Sequence, residues 1–248
     1  MSIGRSCTLV GLFVLAAVPL AAQTGQPTGT QLHARHVEAM GGKAALQKQT
    51  ARRVWAKFEV RAQGMTGPVE IAMAPPARMF TKTEIPGIGV SLSGYDGQTG
   101  WVVNPAMGPM LIEGPALEQL KQQSDFYADL HPERYIASRQ TSGEAEYDGK
   151  KCWSVTVKTT TGESYSECYD KTTGLLLASV RKQATPMGEF ETTTIYAEYK
   201  EFDGVKIPTL VKASAMGFEQ LITVDSVSTK PIPDSVFELP PAVKALKK

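Results

Sequence analysis

RRVWAKFEVRA, residues 52–62, alternates in character: Val54, Ala56, Phe58 and Val60 fall on one side, Trp55, Lys57, Glu59 and Arg61 on the other. A period of two predicts a strand with one buried and one wet face. Downstream, Val69, Ile71 and Met73 repeat the rhythm until Pro75-Pro76 stops it. Short strands are expected at 78–84, 89–94 and 101–104, with an Asp-Gly turn signal at Asp96-Gly97 before the last. From Tyr135 the chain reads as a meander of strands at 152–158, 163–170, 175–183, 189–201, 205–215 and 218–229. The marks between them are Asp148-Gly149, Thr161-Gly162, Thr173-Gly174, Met187-Gly188, Asp203-Gly204 and Met216-Gly217. Leu117, Leu120, Lys121 and Ser124 switch to helical spacing within 113–129. Upstream, Leu32, His36, Val37 and Met40 predict a helix over 30–49 that Gly41-Gly42 breaks. The fold class is therefore mainly β with a few helices: a curved antiparallel sheet whose apolar face a helix must cover.

Residues 1–22 (MSIGRSCTLVGLFVLAAVPLAA) read as a secretory leader, with Arg5, then an apolar run, then Ala22 before the expected cleavage. Cys7 precedes the apolar run, so it does not fit a lipid-modified cysteine, and no later stretch is long enough to span a bilayer as a helix. Removing Arg5 takes Lys+Arg from 26 to 25 against 25 Asp+Glu, a net charge of zero. That balance argues against nucleic acid as a partner and against a polybasic membrane surface. The expected organisation is a signal peptide (1–22), a flexible linker (23–30), one domain (31–241) and a flexible tail (242–248), placed in the periplasm.

Cys152 and Cys168 flank the turn at 159–162. Facing them predicts Ser154 opposite Ser166 and Thr156 opposite Ser164, with Trp153, Val155, Val157 and Tyr165 on the other face. Export favours a disulfide that locks this hairpin. Catalytic and metal signatures are missing. His33 and His36 lack a third ligand and are expected on a solvated helix face; His131 sits in a loop near Asp125 and Asp129. No nucleophile elbow, P-loop or dinucleotide fingerprint occurs, so no catalytic residue, cofactor or metal is assigned. The methionines are adaptable side chains suited either to a surface that accepts variable apolar partners or to plain filling. The Gly/Pro-rich segments IPGIGV (85–90) and PAMGPM (105–110) are either rims of a cleft or hairpin connections.

VEAMGGKA (37–44), EIPGIGVSLSGYDG (84–97) with Trp101, LEQLKQQSDFY (117–127), YDKTTGLL (169–176), YKEFDGVKIP (199–208) and IPDSVFELP (232–240) resemble exported bacterial proteins of the lipoprotein-carrier superfamily, LolA/LolB-like. The resemblance spans nearly the whole mature chain and rests on turn and strand landmarks. It implies an incomplete antiparallel β-barrel closed by helices over an apolar cavity for acyl chains. It implies a carrier or sensor, not an enzyme, whose partners are an apolar ligand or lipid-modified protein and possible envelope proteins. A filled interaction module and, more weakly, a hydrolase with dispersed catalytic residues are the alternatives. Candidate lining residues are Phe58, Val60, Ile71, Met73, Trp153, Val155, Tyr165, Ile222 and Val224.

Overall fold

The computed structural model describes residues 1, 25–185 and 188–247; the expected leader from residue 2 onward, Met187 of the expected Met187-Gly188 turn and Lys248 fall outside them. Two helices, α1 (Gly29–Ala39) and α2 (Gly42–Lys48), precede a first meander of β1 (Arg52–Val60), β2 (Met65–Ala74), β3 (Arg78–Ile85), β4 (Gly89–Tyr95), β5 (Gly100–Asn104) and β6 (Gly108–Ile112). After α3 (Gly114–Ser124) comes a second meander: β7 (Ile136–Tyr147), β8 (Lys150–Thr159), β9 (Ser164–Asp170), β10 (Leu176–Thr185), β11 (Gly188–Phe202), β12 (Val205–Ala215) and β13 (Phe218–Ser228). A short α4 (Pro241–Lys244) closes the order.

The two meanders join where β13 pairs antiparallel with β1, placing Val224 opposite Ala56 and Ile222 opposite Phe58. The result is one sheet of 13 strands running from β6 through β1 and β13 to β7. Its end strands do not pair with each other among the described residues, so the barrel is incomplete, as expected. β6 escaped the sequence reading because Gly108 and Pro109 break the strand pattern. Proline is tolerated there because β6 is an edge strand, where a missing N–H costs no ladder bond.

Helices α1, α2 and α3 sit on one face of the sheet. The Thr28 hydroxyl caps α1, and Gln31 answers it with a reciprocal bond. Leu32 of α1 then packs with Val155, Val157, Tyr165 and Tyr169. A Cβ on Gly100 of β5 would lie 2.8 Å from Leu120 and 2.9 Å from Leu117, so α3 rests directly on that strand. His33 and His36, expected in solvent, are both buried. The reason is geometric: they share the face of α1 that Leu32 and Val37 turn toward the sheet. The opposite face of β2 and β3 is covered by the C-terminal segment. There Phe237 packs on Ala72, Ala74 and Phe80. Trp101 is 1% exposed and Val243 fully buried. Residues 242–244, expected in a tail, lie in α4.

Cys152 and Cys168 form the expected disulfide, with Cα atoms 5.5 Å apart. The register differs: Cys152 lies opposite Asp170, Ser154 opposite Cys168, and Thr156 opposite Ser166. The bond therefore joins diagonal neighbours, which strand twist brings together. A shift of two residues preserves parity, so the predicted separation of faces stands while the individual pairs do not. The cysteine face is not wet either. Cys152 and Cys168 are buried with Leu177 and Ala178.

Candidate functional site

On the helix-bearing face, β1 presents Arg52, Val54, Ala56, Phe58 and Val60 in that order, a cation at one end of an apolar file. Arg52 lies opposite Met73 and Val54 opposite Ile71 on β2. Six of the nine expected lining residues meet here: Phe58 is buried, and Val60, Ile71, Ile222 and Val224 are half-buried around it. Met73 continues the strip toward Met79 of β3. The other three lie apart, on β8 and β9. Val155 and Tyr165 are buried under Leu32, with Trp153 half-buried beside them.

That second region is polar beyond its small core. The Arg181 guanidinium stacks 3.5 Å over the Tyr165 ring. Arg139 stands 3.6 Å from Glu167, whose Oε2 also accepts from the Tyr169 hydroxyl at 2.5 Å. Lys171 lies 4.1 Å over the Trp153 ring. Such cation–aromatic and ion-pair contacts fill space that an apolar ligand would otherwise need.

A cavity of about 240 Å³ opens at the Arg52 end. His36, Met40 and Leu46 of the paired helices form one wall, Phe126, Tyr127, Asp129 and Leu130 another, and Tyr196, Tyr199 and Ile207 the sheet side. None of the nine expected lining residues borders it. The helix break places its wall: the Lys206 N–H donates to Met40 O at 2.7 Å, tying the kink to the sheet. Most hydroxyls around the cavity already have partners. Tyr199 donates to Leu176 O at 2.7 Å, Tyr127 to Gln49 O at 3.0 Å, and Tyr196 bonds Ser179 at 3.2 Å. Burial holds the Tyr199 phenol well above its ordinary range, so it stays protonated.

His36 Nδ1 accepts the Leu176 N–H at 3.1 Å, which puts the neutral ring's proton on Nε2. Burial lowers the His36 pKa, and nearby His33 adds to this against the pull of Asp129. A depressed histidine pKa means the unfolded chain binds the proton first as pH falls. Stability from this site is thus fully present above the ordinary value of 6.5 and is lost as pH drops below it. The expected result is a melting temperature that declines from pH 7.5 to pH 5, with a shallower slope in His36→Asn, whose side-chain oxygen can replace Nδ1 as acceptor. Parallel slopes in the two proteins would remove His36 as the cause.

Arg52 is the one cation facing this apolar surroundings from β1. Its Nη2 donates to Gln49 Oε1 at 3.0 Å, and its guanidinium lies 5.5 Å from the Phe126 ring centre. Burial pulls its pKa down and Asp129 pulls it back up. Arginine nonetheless remains charged at neutral pH. The signal that could have found it was parity: Arg52 shares the side of Val54 and Phe58, where a charge is costly without a purpose.

At the opposite end of the sheet the hairpin tips are apolar and exposed: Ile88 and Val90 on β3–β4, Met107 and Met110 on β5–β6, Met216 and Phe218 on β12–β13. A Cβ on Gly89 would lie 3.0 Å from Pro105, so the first two tips touch. The segments read in the sequence as either cleft rims or hairpin connections are hairpin connections.

Among the described residues, no helix is long and apolar enough to cross a membrane, and no cluster of His, Cys, Asp and Glu is placed to hold a metal ion. No protein-family model matches the chain, and no curated protein matches it. Solved structures do. A DUF1329 family protein from Desulfovibrio piger is 13% identical at a TM-score of 0.58, covering 85% of this chain and 97% of its own. A LolA superfamily protein from Nitrosomonas europaea is 11% identical at 0.56, covering 86% and 99%. An outer membrane lipoprotein-sorting protein domain from Vibrio parahaemolyticus is 13% identical at 0.52, covering 80% and 92%. At these identities the likeness is one of fold. With its single open sheet and α1, α2 and α3 on one face, the chain carries the LolA-like fold that its turn and strand landmarks resembled.

Proposed function

We propose that the chain is an exported, non-catalytic carrier that holds an acyl chain, free or on a lipid-modified protein, along the inner face of β13, β1 and β2, and that it works in the periplasm. The observation that carries this reading is the contiguous strip of Val60, Ile71, Ile222 and Val224, half-buried around Phe58. Eight residue steps of β1, from Arg52 to Val60, span about 26 Å at about 3.3 Å per step, room for a long chain. Each methylene removed from water contributes about 0.8 kcal/mol, so partial cover suffices for binding. The disulfide fits an oxidising compartment. The sorting domain with the same fold supports a lipid-bearing cargo by analogy.

Native mass spectrometry of protein purified from its own host tests this directly. A stoichiometric lipid or lipopeptide adduct is expected. A clean apo mass, with no uptake of a fluorescent fatty-acyl probe, would leave the filled interaction module as the reading.

The apolar hairpin tips serve cargo exchange at a membrane or partner envelope protein in this scheme. Residues 86–90 and 104–110 carry no charge, so entering an apolar phase costs them no charge desolvation. The triple variant Ile88→Ser, Met107→Ser, Phe218→Ser should keep its melting temperature, because all three side chains are exposed. Transfer of a fluorescent acyl ligand from donor vesicles should slow about tenfold or more, as about 1.4 kcal/mol of lost contact would do. An unchanged transfer rate removes the tips from the exchange step.

A further inference from the structure

We propose that the cavity at the Arg52 end binds an anionic oxygen head group, the carboxylate or phosphate of a single-chain amphiphile whose tail lies along β1. This rests on the carrier reading and names the class of ligand. The argument is an imbalance of hydrogen-bonding capacity. The hydroxyls of Tyr127, Tyr196 and Tyr199 are engaged with protein partners. The Nδ1 acceptor of His36 is taken by the Leu176 N–H. One cationic donor, by contrast, is left over. Arg52 uses Nη2 on Gln49, while its Nε is buried with no partner. Asp129 is the one carboxylate lining the cavity; it lies beyond ion-pair distance of Arg52 and is exposed at the mouth. Arg52, with its Nε unfilled, is therefore the cationic donor left for a ligand. A buried guanidinium with an unfilled N–H selects a ligand that brings an anionic acceptor.

Size and position agree. At about 30 Å³ per water-sized group, 240 Å³ holds roughly eight non-hydrogen atoms. That suits a head group and its first carbons rather than a whole lipid. The apolar file of β1 begins immediately beyond, at Val54, and Val227 packs both against the cavity's wall and against that file. Charge and apolar strip thus follow each other in the order of an amphiphile.

The test compares oleate, oleoyl lysophosphatidate and uncharged monoolein in competition with a fluorescent acyl probe, using the mature protein and Arg52→Gln. In the unsubstituted protein at least one anionic ligand is expected to bind ten times or more tighter than monoolein, and the tighter of the two tells carboxylate from phosphate. In Arg52→Gln that ratio should fall toward one while monoolein binding is kept. Arg52→Lys, which retains the charge, guards against a folding defect and should keep part of the preference. Equal affinity for all three ligands in the unsubstituted protein overturns the head-group assignment and leaves the acyl carrier intact. A preference that survives in Arg52→Gln also overturns it. Binding of none of the three overturns both.

Discussion

Gly41→Ala is expected to cost about 3 kcal/mol or more and to abolish ligand binding, whereas Gly42→Ala next door costs about 1–2 kcal/mol. Both glycines have positive φ, +130° and +80°. The difference lies in what a side chain would meet. At Gly41 a Cβ would land on the carbonyl oxygen of Gly204, in the β11–β12 turn; at Gly42 it would meet the flexible end of Glu38 at 3.1 Å. Backbone against backbone cannot yield without undocking the α1–α2 kink from the sheet. That would break the bond from Lys206 N–H to Met40 O and move His36, Met40 and Leu46 away from Ile207. Urea unfolding of the two variants side by side measures this. Equal losses would show that conformational strain alone, and not the close approach, fixes the kink.

The second large effect is expected from the disulfide. Cys152 and Cys168 are 16 residues apart, and closing a loop of that size removes about 3 kcal/mol of unfolded-state freedom. A Cys152→Ala, Cys168→Ala double variant should lose about that much, seen as a lower urea midpoint. Reductant should lower the midpoint of the unsubstituted protein to a similar degree and leave the double variant unchanged. If reductant acts equally on both, the covalent link is not what stabilises the hairpin. Against a typical domain stability of 5–15 kcal/mol, either loss is a large fraction.

The strands were legible because alternation and glycine turns mark them locally. Arg52, Val205 and Phe218 begin strands where the pattern places them, and Gly41-Gly42 breaks the first helix as read. Three things were not legible, each because it depends on partners remote in sequence. The pairing of β13 with β1 decides that Ile222 and Val224 join Phe58, and alternation within one strand does not carry that information. The diagonal disulfide depends on twist, which composition does not encode. The cavity needs α1, Tyr127, Tyr199 and Ile207 together, residues spread over most of the chain. Arg52 was read as an ordinary strand residue, although it shares the side of Val54. A charge in phase with an apolar file was the local clue to the site.

β6 and β7 end the sheet without meeting among the described residues. A closed barrel can widen only by breaking a ladder of hydrogen bonds or by changing its strand count. Here the β13–β1 pairing joins the two meanders, and widening the gap between the end strands would change twist and side-chain packing while leaving every ladder intact. The molecule is therefore compliant across its seam and stiff along its strands. In the proposed carrier, occupants of different girth would be admitted at low cost, while the distance from the Arg52 end to the hairpin tips stays fixed like the scale on a ruler.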